Sequence, residues 1–172
     1  MHQEQLSHYP MYAEAREQGL IELNILPVCD ALAELGANPL ASCSGHVRLA
    51  PDLHASLLSN LLSFGKTNRK VCISVPYVLF SSSNEIAGKV NCAVEAFPIK
   101  LPNGQLAKKY LFFVWNVVGS FDDKGRLRFS LTTNDHRLTS NSEWLLENIG
   151  IIDAMLKEDL AKIAVLLADV PC

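Results

Sequence analysis

The sequence predicts an α+β fold: a mostly antiparallel sheet of four to five strands, read as a β-meander, flanked by helices and closed by a long C-terminal helix. Three observations predict it. Apolar residues in the first third recur at helical spacing, as in Ile25, Val28, Leu32 and Leu35. From Lys70 the period changes to two, with Val71, Ile73 and Val75 alternating with Cys72 and Ser74, the pattern of a half-buried strand. A capping-box sequence, Ser140-Asn141-Ser142-Glu143, precedes a last long apolar stretch. Helices gathered at both ends of an antiparallel sheet make an α+β architecture. The length, 172 residues, suits one domain spanning 1–172.

The elements follow in order. Pro10 through Gln18 reads as a short helix, with Ser7 or His8 as its cap and Gly19 as its stop. Asn24 is placed to cap a second helix, with Pro27 in the first turn and Gly36 at the end. Leu40-Ala41-Ser42 is a short buried strand. Pro51 starts a third helix with Leu53, Leu57, Leu58, Leu61 and Leu62 on one face, ended by Gly65. Pro76 interrupts the strand that begins near Val71 and marks a bulge or an edge. Ser81 to Asn84 reads as a loop, and Val90, Cys92, Val94 and Ala96 alternate as a strand. Asn103-Gly104 is a hairpin signal. Tyr110–Val118 is a β-rich run, Asp122 to Gly125 a turn, and Leu127, Phe129 and Leu131 alternate with Arg126, Arg128 and Ser130. Trp144 to about Asp169 is helical, with Gly150 as a point of bending.

Composition narrows the function classes. Apolar residues make up 49% and charged residues 19%, too apolar for a disordered chain. The five cysteines are widely spaced, odd in number and include no C-x-x-C pair, which argues for a reducing, cytoplasmic compartment over a disulfide framework. Apolar stretches such as Leu111–Val118 fall far short of the ~20 residues that cross a bilayer, so no membrane partner is expected. The net charge is −3, so nucleic acid is not indicated as a general partner. The charge is uneven, however. Residues 35–137 carry twelve basic groups against six acidic ones, between acidic ends. A small anionic ligand in the middle region is compatible with that balance.

The densest chemistry lies in Ala41-Ser42-Cys43-Ser44-Gly45-His46. Gly45 permits a turn with positive φ or the close approach of a ligand. Successive N–H groups in such a turn form a nest for an anion. Ser42 and Ser44 add hydroxyls, and Arg48 adds a permanent charge. Cys43 is a nucleophile candidate, with His46 or His136 as base and Asp135 or Asn134 as orienter. A metal reading uses Cys43 and His46, with His54, Cys72, Asp135 and His136 as further ligands. A purely structural reading makes Cys43 a small buried residue and Gly45 a tight turn.

Residues Ile21–Leu49 resemble a pattern of the wybutosine-synthesis methyltransferase family of RNA-modifying proteins. The pattern is an acidic or polar residue, an apolar helix, then a strand running into Ser-Cys-Ser-Gly. Here it reads Ile25-Leu26-Pro27-Val28, then Leu32, then Ala41-Ser42-Cys43-Ser44-Gly45. The family has Arg after the glycine, where this chain has His46. The resemblance implies a mixed α and β fold and a ligand-binding turn at Ser42, Cys43, Ser44 and Gly45. Phage- and plasmid-type proteins with a helix followed by S-C-x-G-H are similar over the same stretch and imply no chemistry.

These readings converge on one expectation: a ligand-binding turn at Ser42–His46 for an RNA- or nucleotide-related anion. The site residues are Cys43, His46 and His136 as reactive groups and Ser42, Ser44, Gly45, Arg48 and Asp135 as ligand contacts. The sequence names no cofactor. Two alternatives stand beside it. One is a non-enzymatic interaction protein, such as a homodimer, with a structural motif. The other is a metal-binding or cysteine-hydrolase site using Cys43, His46 and His136.

Overall fold

Two short helices open the described chain. In the computed structural model, which describes residues 11–51, 69–95, 99–100, 106–107, 111–139 and 143–171, α1 spans Tyr12–Glu17 and α2 spans Leu26–Glu34. The expected caps Ser7 and His8, and Pro10, lie outside the described residues. At α2 the cap position falls to Ile25 rather than Asn24, and no side chain caps it. A turn precedes it instead, in which Glu22 O accepts from the N–H groups of Ile25 and Leu26. Pro27 sits in the first turn as expected, where its missing N–H has no helical partner to lose. The end of α2 is a Schellman motif. Gly36, at φ +85°, donates to Ala33 O, and Ala37 donates to Leu32 O. Val28, Cys29, Ala31 and Leu32 form the buried face. Asp30 on α2 binds α1 by accepting from Tyr12 and from Arg16 Nε at 2.7 Å.

The strands are β1 (Asn38–Cys43), β2 (His46–Pro51), β3 (Arg69–Ser74), β4 (Tyr77–Ser81), β5 (Ile99–Lys100), β6 (Leu106–Ala107), β7 (Trp115–Phe121) and β8 (Leu127–Thr133). Four of them form an antiparallel sheet in the order β1-β4-β8-β7. β2 and β3 form a separate two-stranded ribbon, and β5 pairs with β6. The fold is therefore α+β with an antiparallel four-stranded sheet. Meander connectivity, with strands adjacent in both chain and sheet, holds in it only for the β7–β8 hairpin. Asp122 builds that hairpin's turn: it donates to Arg126 O and its carboxylate accepts from the N–H groups of Lys124 and Arg126. The β5–β6 pair flanks Asn103-Gly104, and the turn itself lies outside the described residues.

Three further sequence expectations need correction. Val90, Cys92 and Val94 belong not to a strand but to α3 (Asn84–Val94). The buried positions are Ala87, Val90 and Val94, a spacing of three and four that period-two reading of the same residues hides. Ser83, expected in a loop, is the N-cap of α3, and its Oγ accepts from Ile86 N at 3.2 Å. Pro51 does not open a helix at its own position but closes β2, and the helix expected beyond it lies outside the described residues. β4, directly after Pro76, was not expected. Its burial alternates, with Val78 and Phe80 inward.

A last pair of helices, α4 (His136–Thr139) and α5 (Glu143–Ala168), completes the fold. α5 runs through Gly150 as one helix of 26 residues, about 39 Å at ~1.5 Å per residue. The residues of its expected capping box before Glu143 lie outside the described residues. Leu145, Ile152, Leu156, Leu160, Ile163 and Leu167 are fully buried along one stripe. They meet α2, Phe80, Phe113, Trp115 and Leu131 in the core cluster. Each such side chain contributes roughly 1.5–3 kcal/mol by leaving water. α3 packs along β7, and Asn91 Oδ1 accepts from Val117 N at 2.9 Å. Among the described residues no helix is long and apolar enough to cross a membrane.

Candidate metal centre

The Cys43–His46 turn lies at a break in a long antiparallel ribbon. On the near side of the break Cys43 pairs with Tyr77 in the four-stranded sheet; on the far side His46 pairs with Ser74 in the two-stranded ribbon. Between them Ser44 and Gly45 face Val75 and Pro76. Pro76 has no N–H to give a ladder bond. Gly45 adopts φ +84°, and a Cβ there would lie 2.7 Å from Pro76 Cδ and Cγ. Both the backbone angle and the space require glycine. Thr132 Oγ1 donates to Pro76 O at 2.9 Å and ties the break to β8.

This bend brings together three groups from different parts of the chain. Glu22, in the turn between α1 and α2, reaches the motif. Its Oε2 accepts from Ser44 N at 2.5 Å, and its Oε1 lies 3.2 Å from His46 Nε2. Cys43 Sγ accepts from Gly45 N at 3.4 Å. One carboxylate oxygen, the thiol sulfur and one imidazole nitrogen all lie within 4.8 Å of one another. The side chains of Glu22 and His46 are 41% and 40% exposed, so the group is reachable from solvent. The backbone bonds matter as much as the cluster. They fix Oε2 and the sulfur and leave Oε1 turned toward the imidazole, the supporting-shell arrangement that orients metal ligands. The donor set of carboxylate, thiolate and imidazole suits zinc.

The other expected site residues fall elsewhere. Ser42 hydrogen-bonds the buried Cys29, whose thiol burial pushes up to about 12 against the pull of that bond. Ser44 is buried, and the N–H that an anion nest would offer is already given to Glu22. Arg48 stands in β2 opposite Cys72; the side chains of both, and all of His54, lie outside the described residues. Asp135 is buried and accepts from Val114 N, Arg137 N, Arg137 Nε and Arg137 Nη2 at 2.7–3.1 Å. Burial works to raise its pKa, but the Arg137 bonds outweigh it and hold the carboxyl below its usual value. His136 is 92% exposed, with Nδ1 3.9 Å from Asp135 Oδ1. Neither it nor Asp135 belongs to the three-residue cluster. Glu22 is the member that sequence reasoning did not single out, because a lone acid in a turn carries no local signal.

Comparison with protein-family models, with curated proteins and with solved structures found no match to this chain.

Proposed function

We propose that this protein binds a divalent transition-metal ion of the zinc class through Glu22, Cys43 and His46. The observation that carries this reading is the convergence of their three donor atoms within 4.8 Å on a bend that backbone hydrogen bonds hold in place. Zinc bonds of about 2.0–2.3 Å put tetrahedral donors roughly 3.3–3.7 Å apart. The Glu22–His46 separation of 3.2 Å is already close to that span. Three protein ligands leave the fourth position of a tetrahedral ion to water or to an exogenous donor. An anion, the ligand class the central charge balance suggests, would bind there on the ion. The backbone of the turn is a poorer seat for it, because Ser44 N already serves Glu22.

The test is zinc binding to chelator-treated protein, followed by native mass spectrometry and calorimetry. The parent chain takes up a single zinc ion at micromolar metal. Cys43→Ser weakens binding by more than the ~10–100-fold typical of losing an outer-shell partner, and Cys92→Ser, on the exposed side of α3, leaves it unchanged. Equal zinc affinity in the parent and Cys43→Ser, or no uptake by either, rejects the site.

A further inference from the structure

The three donors come from three different elements. Cys43 ends β1 inside the four-stranded sheet, and His46 begins β2 in the two-stranded ribbon. Glu22 sits in the turn between α1 and α2. The ladder that would make sheet and ribbon continuous is interrupted between the Cys43–Tyr77 and His46–Ser74 pairs. On one strand of the interruption stands a glycine at positive φ, and on the other a proline without an N–H. The root of the ribbon rests on Val47, Ile73 and Val75, half-buried against the core. Glu22 ties this bend to the α1–α2 turn through Ser44 N and His46 Nε2.

From this placement, and resting on the metal reading above, we propose that metal occupancy gates the β2–β3 ribbon: the bound ion staples sheet, ribbon and α1–α2 turn together, and its loss lets the ribbon open at Gly45–Pro76. The physical basis is linkage. An ion that binds only the closed form suppresses every opening that separates its ligands by the factor 1 + [M]/Kd. Openings that leave the three ligands together are untouched. Local openings of this kind involve small cooperative units, and the two-stranded ribbon joins the sheet through a broken ladder while β2 rests on α5. The protein then converts metal concentration into exposure of one ribbon, a device for signalling occupancy to whatever meets that ribbon.

Hydrogen exchange read by mass spectrometry, with zinc or with chelator, tests this on the full chain. At zinc near 100 times Kd, amides in 46–51 and 69–74 slow by up to about 100-fold, and those of the β7–β8 hairpin slow much less. Cys43→Ser removes the effect, and Cys43→His, which restores a zinc donor, recovers it. Zinc bound in the mass spectrum with ribbon exchange unaltered overturns the gating but leaves the metal site standing. Slowing by the same factor along the whole chain also overturns it, because the ion then stabilises only the complete fold. Absence of bound zinc in the parent chain rejects the metal site and the gating together.

Discussion

Glu22, Cys43 and His46 in one region, and Asp135, Arg137 and Asp159 in another, are two polar clusters whose atoms are used in opposite ways. In the second cluster every strong acceptor is consumed. Asp159, on α5 and fully buried, accepts from Phe112 N, Phe113 N and Trp115 Nε1 at 2.7, 3.0 and 2.8 Å. Asp135 takes Val114 N and the Arg137 fork. Arg137 also donates to Phe112 O and lies over the rings of Phe113 and Trp144 at 5.2 and 5.0 Å. Between them the two aspartates satisfy three successive backbone donors at the entry to β7, a stretch with no strand partner among the described residues. Burial pushes the Asp159 carboxyl up while its three donors pull it back. In the Glu22 cluster the same atom types are partly exposed, and donor atoms of three residues lie within 4.8 Å of one another. The comparison teaches that a buried carboxylate with a full set of donors belongs to the fold, whereas convergent, solvent-reachable donors are available for a ligand.

Three substitutions sharpen that contrast. Asp159→Ala leaves Phe112 N, Phe113 N and Trp115 Nε1 without their acceptor, the last two of them buried, and opens a cavity, so it destabilises the fold by about 3–5 kcal/mol in urea unfolding. A loss below about 1 kcal/mol would show that water or backbone rearrangement replaces the carboxylate and that the cluster is not structural. Gly45→Ala forces a Cβ into the left-handed region and against Pro76, at a cost of about 2–3 kcal/mol in the same measurement. A near-neutral result there breaks the assignment of the bend as sterically fixed. Cys43→Ser in metal-free buffer changes stability by less than about 0.5 kcal/mol, as for other partly exposed positions. A large loss would move Cys43 into the structural class with Asp159.

The sequence carried different amounts of this. The helices were legible where a stop residue coincided with helical spacing, as at Gly36, and the β7–β8 hairpin was legible from Asp122 to Gly125 and the alternation at Phe129 and Leu131. The α3 segment was not, because Val90 and Val94 satisfy both periods, and Ala87 and the cap at Ser83 are what separate them. β2 and β4 were hidden by Pro51 and Pro76, prolines that here close one strand and precede another rather than starting or breaking an element. At the site, Cys43, Gly45 and His46 could be read because they are local to one turn. Glu22 could not, since its role depends on a contact 22 residues away with the Ser44 N–H. Asp135 looked like chemistry because it stands beside His136 and Arg137, but a buried salt bridge and a catalytic pair look alike in a one-dimensional string.

The placement of α3 along β7 has a consequence for solubility. Among the described strands β7 is the outer one of its sheet, with Val118 and Phe121 46% and 74% exposed, the kind of border on which foreign strands add and fibrils grow. Asn91 already occupies the outward Val117 N–H, so an incoming strand meets a filled donor in mid-edge and has no uninterrupted row to copy. One amide oxygen on a helix thus takes a donor that self-templated assembly would need.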